Sequence, residues 1–421
     1  MTSQGGVLTK QPSTPLAPPE RRAGTYDRDD DVTGLLWYGT HNILDVPRRR
    51  ERTTGGRSPD RDLVLQGDCI SGHHFVMERR PLGLVVTDDG STNGLAHEVR
   101  RDFGVALKPS FEDKRSEKEG FLLVPGITFL VGAEPYRFVA LDDAMREQHP
   151  RLVEILGRED DVRNASEAGE APSPSDLILA ADSPGHVLIT GKPGCEAEDL
   201  ARIIHKISKR RRQAIIEIDE VPEDRRGQNV LLKHKATRGT LVLNLGTDSM
   251  RLDPAFLSSM FSSSYHIRVI VIARTANQAR RALGHQYWRA LMHIALCPLE
   301  QRRPAIPRLL DEWLAARGSV LRFADLTPHN QRALQLNPWR ENLQALGEAA
   351  ERLDAIARAG FYKRRAAVLL GLKRQTFDHW FNNTMRLTRP LVSDARKRAL
   401  LDALGMPAPA PRLRGGSSPR Q

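Results

Sequence analysis

Short runs of alternating apolar and polar residues fill the chain from 35 to 141: GLLWYG, DLVLQ, HHFVMER, LGLVVTDD, GFLLVPG, TFLVG and YRFVALD. Side chains on a strand point alternately to its two faces, so this period predicts half-buried strands, and the Gly, Asp and Pro between the runs predict turns. An all-β sandwich is expected. Residues 98–120 are densely charged and are expected to form a long loop. Residues 142–172 begin with a helical pattern, end polar, and are expected to be a linker. From 173 to 345 strand and helix patterns alternate (HVLITG, AEDLARIIHKISKR, AIIEID, GTLVLNLG, PAFLSSMF, IRVIVIAR), which predicts an α/β domain with a largely parallel sheet. Residues 346–400 are helical throughout and predict an all-α domain. Residues 1–34 and 401–421, rich in Pro, Gly and charge, are expected to be disordered tails. The chain is thus expected to be multidomain, without internal repeats.

Charge sharpens this picture. The 421 residues carry 63 Lys and Arg against 52 Asp and Glu, a net charge of +11. Most of that excess lies at the C-terminal end, where residues 361–421 hold thirteen Lys and Arg against three Asp and Glu. A positive field concentrated on one helical segment points to a polyanion such as nucleic acid. The three cysteines, Cys69, Cys195 and Cys297, are isolated in sequence. They form neither a disulfide framework nor a metal-ligand pattern, so no metal site is expected, and a reducing cytoplasmic setting fits. No apolar run is long enough to cross a bilayer, and the first residues do not form a secretory signal.

Three separated elements in the first domain carry recognisable chemistry: GGRSPDRD with Arg57, SGHH with Ser71 and His74, and DGSTNG with Thr92 and Asn93. In this order, between β-strands, they resemble the forkhead-associated (FHA) domain over residues 35–141. The resemblance implies a phosphothreonine site. Such a ligand brings nearly two negative charges and three acceptor oxygens. Arg57 then supplies charge-assisted hydrogen bonds, Ser71 and Thr92 supply hydroxyl donors, Asn93 holds the peptide backbone and its own loop, and His74 supports the geometry. Family members often carry Arg after the serine. Here Gly72 stands there, which removes one phosphate donor.

The stretch VLITGKPGCEAEDLARIIHK has the layout of a phosphate-binding loop: an apolar strand, the glycines Gly191 and Gly194, then an amphipathic helix. Together with GTLVLNLG and CPLEQRRPAIPRLLDEWL it resembles the AAA+ domain of sigma-54-dependent enhancer-binding proteins. Laid on that pattern, the lysine that reaches the phosphates is Ala197 and the glycine before it is Glu196. The two acidic positions that hold Mg²⁺ and polarise water are Asn244 and Leu245, and the sensor arginine of the lid is Gln344. The long insertion through which the family grips sigma-54 has no counterpart between residues 220 and 239. A nucleotide-site shell without catalysis is expected, with no bound cofactor, ATP included.

The segment YKRRAAVLLGLKRQTFDHWFNNTMRL resembles the Fis-type helix-turn-helix that ends enhancer-binding proteins. Small Ala366 and Ala367 let two helices cross, Gly371 takes the left-handed turn, and Leu372, Phe377 and Phe381 supply the buried stripe. The second helix is expected to start near Lys373 or Arg374. Arg374, Gln375, Asp378, His379 and Asn382 are expected to face the base edges of double-stranded DNA, with Lys363, Arg364, Arg365 and Lys373 on phosphates. Trp380, where the family carries a polar or basic residue, is expected between protomers or on the groove wall. The resemblance implies a homodimer or higher homo-oligomer with the preceding helix in the interface.

Three functions follow as expectations. The first is a non-enzymatic bacterial transcription regulator that couples phosphothreonine recognition, from a Ser/Thr kinase substrate or a phosphorylated partner, to promoter binding. The second is a phosphopeptide-dependent scaffold with a vestigial DNA module. The third is an active sigma-54-dependent ATPase, which the domain order favours and the missing residues oppose.

Overall fold

Strands β1 (Gly34–Trp37), β2 (Ile43–Asp45), β3 (Arg52–Gly56), β4 (Leu63–Val64), β5 (Phe75–Arg80), β6 (Gly83–Asp88), β7 (Leu95–Val99), β8 (Ser110–Asp113), β9 (Phe121–Leu123), β10 (Thr128–Val131) and β11 (Arg137–Leu141) build two facing sheets. One runs in the order β2-β1-β11-β10-β7-β8, the other β4-β3-β5-β6-β9. The alternation seen in the sequence becomes the core: Phe75 and Met77, Leu84 and Val86, and Phe138 and Ala140 turn inward two residues apart. The computed structural model describes residues 31–81, 83–99, 110–113, 120–157, 173–181, 185–246 and 252–406. The expected tails up to residue 30 and from residue 407, and positions 158–172 of the expected linker, lie outside these.

Four expectations change within this frame. The N-terminal tail does not reach residue 34: Val32 is fully buried, Thr33 is 4% exposed, and β1 begins at Gly34. The C-terminal tail does not begin at 401, because Leu401 is buried in the last helix. The expected loop at 98–120 is partly strand, with His97 paired to Glu112 across β7 and β8. The charge there hid the strands, since an outer edge strand needs little apolar content. The expected linker at 142–172 opens instead with a packed helix, α1 (Asp143–Leu156).

That helix is capped by Asp142, whose side chain accepts from the Met145 N–H at 2.8 Å. Its buried face is Met145, His149, Leu152, Val153, Ile155 and Leu156. The helical beginning matches the sequence pattern; its packing does not show there, because His149 occupies a slot in the buried face and Pro150 sits mid-helix. Beyond it come α2 (Pro174–Ala181), β12 (His186–Thr190), α3 (Ala197–Lys206), β13 (Ile215–Ile218), α4 (Arg225–Val230), β14 (Thr240–Asn244), α5 (Pro254–Met260), β15 (Arg268–Ala273), α6 (Ala276–Leu283), α7 (His285–Arg289) and β16 (Leu291–Ala295). The five strands form an all-parallel sheet, β13-β14-β15-β12-β16. Both faces are covered, as a parallel sheet requires. Val187, Ile189, Ile270 and Ile272 pack toward α1, α2 and α3. Leu188, Val269 and Val271 pack toward Leu231, Phe256 and Leu283 on the other side.

The described residues end in helices α8 (Ile306–Ala316), α9 (Pro328–Gln335), α10 (Asn342–Arg358), α11 (Lys363–Leu369), α12 (Arg374–His379) and α13 (Asp394–Ala403). Their core is continuous with the α1–α3 side of the sheet and reaches Leu36 and Val139 of the sandwich. The sandwich keeps its own core, and Leu36, Val139 and Leu141 on its other face pack into the apolar cluster that α1 and α10 share with one side of the parallel sheet. Among the described residues, no helix is long and apolar enough to cross a membrane.

Candidate functional site

The first candidate site lies at one end of the sandwich. Two backbone bonds hold its loops together: Arg57 N–H donates to Ser71 O at 2.8 Å and Ser58 N–H to Gly72 O at 3.1 Å. The Ser71 hydroxyl accepts from the Thr92 N–H at 2.9 Å and lies 3.4 Å from the Thr92 hydroxyl. Behind them, fully buried His74 accepts from the Ser71 N–H on Nδ1 at 3.0 Å. That bond leaves the proton on Nε2, which donates to Gly94 O at 3.0 Å. One imidazole thus ties the Ser71 loop to the loop of Thr92 and Asn93. The Asn93 amide donates to Cys69 O at 2.9 Å, a third tie between the same loops. Asp88 accepts from the Ser91 N–H and hydroxyl, both at 2.7 Å, and shapes the turn from within.

Arg57 is exposed, and among the described residues its guanidinium has no partner. A free cation beside two hydroxyls, on loops fixed by buried bonds, suits an incoming dianion. Position 72 leaves a gap in the donors, and its neighbourhood is not simply empty. Arg61, 13% exposed, donates to His73 Nε2 at 3.1 Å and pairs with Asp60 at 2.6 Å. The sequence pattern gave no sign of Arg61 and His73, because nothing in the GRSPDRD motif shows which loop Arg61 folds against.

The second candidate is the glycine-rich loop between β12 and α3. It is in use, but by the chain itself. Gly194 has φ +72°, and a Cβ there would lie 2.0 Å from Glu341 O, so only glycine lets the lid approach. The Leu343 N–H donates to Gly194 O at 3.1 Å, and the Asn342 amide donates to Pro193 O at 2.7 Å. Asn342 is 2% exposed and its Oδ1 accepts from the Leu299 N–H at 3.1 Å. The start of α10 is therefore bolted onto the loop.

At the N-terminus of α3, where a phosphate would gain from the helix dipole, the carboxylates of Glu196 and Asp199 stand instead. Arg151 of α1 meets Glu196 at 3.3 Å, Asp199 at 2.7 Å and Glu154 at 2.7 Å. Burial pushes the Glu196 carboxyl above its usual range, with Arg151 opposing. For Asp199 burial acts upward too, and the hydrogen bonds and charge of Arg151 overcome it and hold the group low. Ala197 is buried at the lysine position. Asn244 donates to Glu198 at 3.2 Å and accepts from the Gly246 N–H at 3.0 Å, so its amide is spent locally. Leu245 packs on the apolar cluster beneath the sheet. Gln344 points to solvent, and half-buried Gly191 lies against Leu296 and Cys195. Burial raises the Cys195 thiol to about 11, which leaves it protonated and unreactive. Among the described residues, no cluster of His, Cys, Asp or Glu is arranged to hold a metal.

The third candidate is formed by α11 and α12. Ala366 and Ala367 are buried where the helices cross, and Gly371 turns between them at φ +64°. The second helix starts at Arg374 and continues through a wider turn at Trp380–Thr384. Its inner side is Phe377, Trp380 and Phe381, all at most 4% exposed. Trp380 is therefore core, not groove wall or dimer contact. Its ring meets that of Phe377 at a tilt, with centroids 5.6 Å apart, and Arg352 lies 5.0 Å over its ring.

The outer side presents Gln375, His379, Asn382 and Arg374, with Lys373, Arg364 and Arg365 exposed beside it. Two of the expected DNA-facing residues are engaged elsewhere. Lys363, expected on phosphates, is enclosed: it meets Asp378 at 3.2 Å, donates to Asn382 at 3.1 Å and lies 4.3 Å from the Phe381 ring centroid. Asp378, expected at base edges, is half-buried between Lys363 and Arg374, the latter at 3.4 Å. Both serve as braces for the helix pair. The apolar stripe of α10 is consumed within the protomer, where Leu343, Leu346, Ala350 and Leu353 are fully buried, so it offers no apolar dimer seam.

Residues 53–101 match the family model of the FHA domain. The chain carries an FHA β-sandwich, followed by an α/β region built on a five-stranded parallel sheet. Among solved structures, it is similar to NtrX from Brucella abortus in complex with ATP, at 16% identity over 57% of this chain and 71% of that one, TM-score 0.35. It is also similar to the P-loop NTPase domain of a sigma-54 transport activator from E. coli, at 20% identity over 28% and 90%, TM-score 0.25. A third is Mycobacterium tuberculosis EmbR in complex with a low affinity phosphopeptide, at 19% identity over 27% and 24%, TM-score 0.19. At these scores the likeness is loose and says nothing of function. No curated protein matches the sequence.

Proposed function

We propose that the chain is a DNA-binding transcription regulator that recruits a phosphothreonine-bearing partner to DNA without hydrolysing ATP. The observation that carries this reading is the exposed Arg57, without a partner among the described residues, beside the Ser71–Thr92 hydroxyl pair within a matched FHA domain. Arg57 takes the phosphate charge, Ser71 and Thr92 add hydroxyl bonds, and His74 and Asn93 hold the two loops in register. The helix pair α11–α12 acts as a helix-turn-helix, with Arg374, Gln375, His379 and Asn382 toward base edges and Arg364, Arg365 and Lys373 toward phosphates.

The α/β layer acts as a rigid spacer. Its phosphate-binding turn is filled by Glu196 and Arg151 and covered by Asn342, so nucleotide neither drives nor gates the molecule. Leu36, Val139 and Leu141 of the sandwich pack into the apolar cluster of α1 and the C-terminal helices, and this seam holds a partner bound at Arg57 in place relative to α12. Regulation then works by recruitment or occlusion.

The test is binding of a phosphothreonine peptide library to the purified chain. Arg57→Ala is expected to lower affinity at least tenfold, while the unphosphorylated library does not bind. Equal binding of both libraries would overturn the phosphothreonine part. A second reading, a phosphopeptide scaffold that does not read DNA, is favoured by one observation: the Lys363–Asp378–Arg374 cluster neutralises part of the positive charge of the helix pair.

A further inference from the structure

A groove of about 230 Å³ lies between α9 and the turn that follows α12. Its lining is His329, Arg332, Ala333, Leu336, Asn337, Pro338 and Arg386. Three of these side chains are basic, none is acidic, and among the described residues none of the three is paired with a carboxylate. Leu336 is 51% exposed on its floor, an uncommon position for a leucine beside two arginines. The walls are held together from beneath. The Asn337 amide donates to Thr384 O at 2.8 Å, and fully buried Asn330 of α9 accepts from the Thr388 N–H at 2.8 Å. Arg386 therefore cannot drift from Arg332 without breaking buried bonds.

An apolar floor rimmed by cations suits a sugar–phosphate unit better than a bare anion. The apolar face of a deoxyribose covers Leu336 and Pro338, and the phosphate meets Arg332 and Arg386. The position fits as well. A duplex whose major groove takes α12 carries its flanking phosphates past both ends of that helix, and Arg386 stands just beyond its C-terminal end. We propose that this groove seats a segment of the DNA backbone, so that α9 extends the footprint of the helix pair. The inference rests on the DNA-binding reading. It also gives α9 a function: Arg332 adds a phosphate-binding cation to those of the helix pair.

The test is fluorescence anisotropy of a 30-bp mixed-sequence duplex with the full chain, titrated from about 50 to 200 mM salt. The variants are Arg332→Gln, Arg386→Gln and both together. All the changed side chains are exposed, so the fold is kept. Removing one arginine–phosphate pair is expected to reduce the slope of log K against log salt by about 0.9, and the double variant by about 2. Weakening is expected to be alike on every sequence, since the DNA backbone carries no sequence information. A wild-type chain that binds while the double variant keeps the same slope would overturn this inference alone. A wild-type chain that binds no duplex would overturn the DNA reading and this one with it.

Discussion

Replacing Arg151 with methionine keeps its aliphatic packing and removes its charge from the glycine-rich turn between β12 and α3. Arg151 is 30% exposed on its side chain and faces Glu154, Glu196 and Asp199, which are 16%, 25% and 36% exposed. A charge pair at about 4 Å in an effective dielectric near 20 is worth up to about 4 kcal/mol. A solvent-exposed pair is worth under about 1 kcal/mol. The three ion pairs fall between these limits and toward the lower one, so their joint removal is expected to cost about 3 kcal/mol, part of it repulsion among the abandoned carboxylates. The destabilisation has a pH signature. In the native chain Asp199 is held low, so its stabilisation is present above its unfolded pKa and fades as pH falls through the folded value. In Arg151→Met the carboxylates move above their unfolded values, so their penalty is full at pH 7 and shrinks on acidification. Both effects narrow the gap between the two chains toward pH 4. The assay is urea unfolding at pH 7 and pH 4.5, read on the phase that unfolds the α/β layer. A difference under about 0.5 kcal/mol at both pH values would show three ordinary surface pairs. Arg151 and its three carboxylates would then not hold the glycine-rich turn.

Two further outcomes are expected. Burial pushes His149 down to about 4, with His41 adding to the shift, so the folded chain resists its protonation. The stabilisation is complete above the unfolded value near 6.5 and is lost as pH falls from there through about 4, a span of at most about 3 kcal/mol. His149→Leu is expected to flatten that limb of the urea-midpoint profile, and an unchanged slope would contradict the burial argument. Asn330 also hydrogen-bonds to the carbonyls of Thr388, Pro390 and Leu391 at 3.1–3.3 Å. Asn330→Ala strands several buried backbone groups and is expected to cost about 2–4 kcal/mol. Hydrogen exchange should then quicken at 388–391 while the sheet stays protected; equal protection throughout would show that the helix pair is not anchored by this residue.

What was legible in the sequence is what local chemistry dictates. The loops of Arg57, Ser71 and Asn93 carry their signal in turn residues and polar side chains a few positions apart. Gly371 and the two alanines mark a helix crossing in the same way. Contacts that span the chain left no such trace. Nothing near Arg151 foretells Glu196, 45 positions on. The helix that carries Arg151 is visible as a helical pattern, but its packing is not, because the polar His149 sits within its buried stripe. Lys363 looked like a phosphate contact because charge is visible in sequence and enclosure is not; Asp378 and the Phe381 ring decide its role. Trp380 looked out of place for the opposite reason: beside Phe377 and Phe381 it completes a ring cluster that a helical stripe cannot distinguish from an exposed aromatic. The strand β3, written RTTGG, reads as a turn by composition and becomes a strand only because β5 pairs with it.

The measurement that bears most directly on the central claim is selection of genomic DNA fragments by the purified full chain at physiological salt, run beside Arg374→Ala. The expected result is enrichment of a small set of inverted-repeat sites that disappears in the variant, because Arg374 stands at the first turn of α12 on its solvent side. Salt-sensitive binding to all fragments alike, unchanged in Arg374→Ala, would contradict it and leave the phosphopeptide scaffold as the function of the chain.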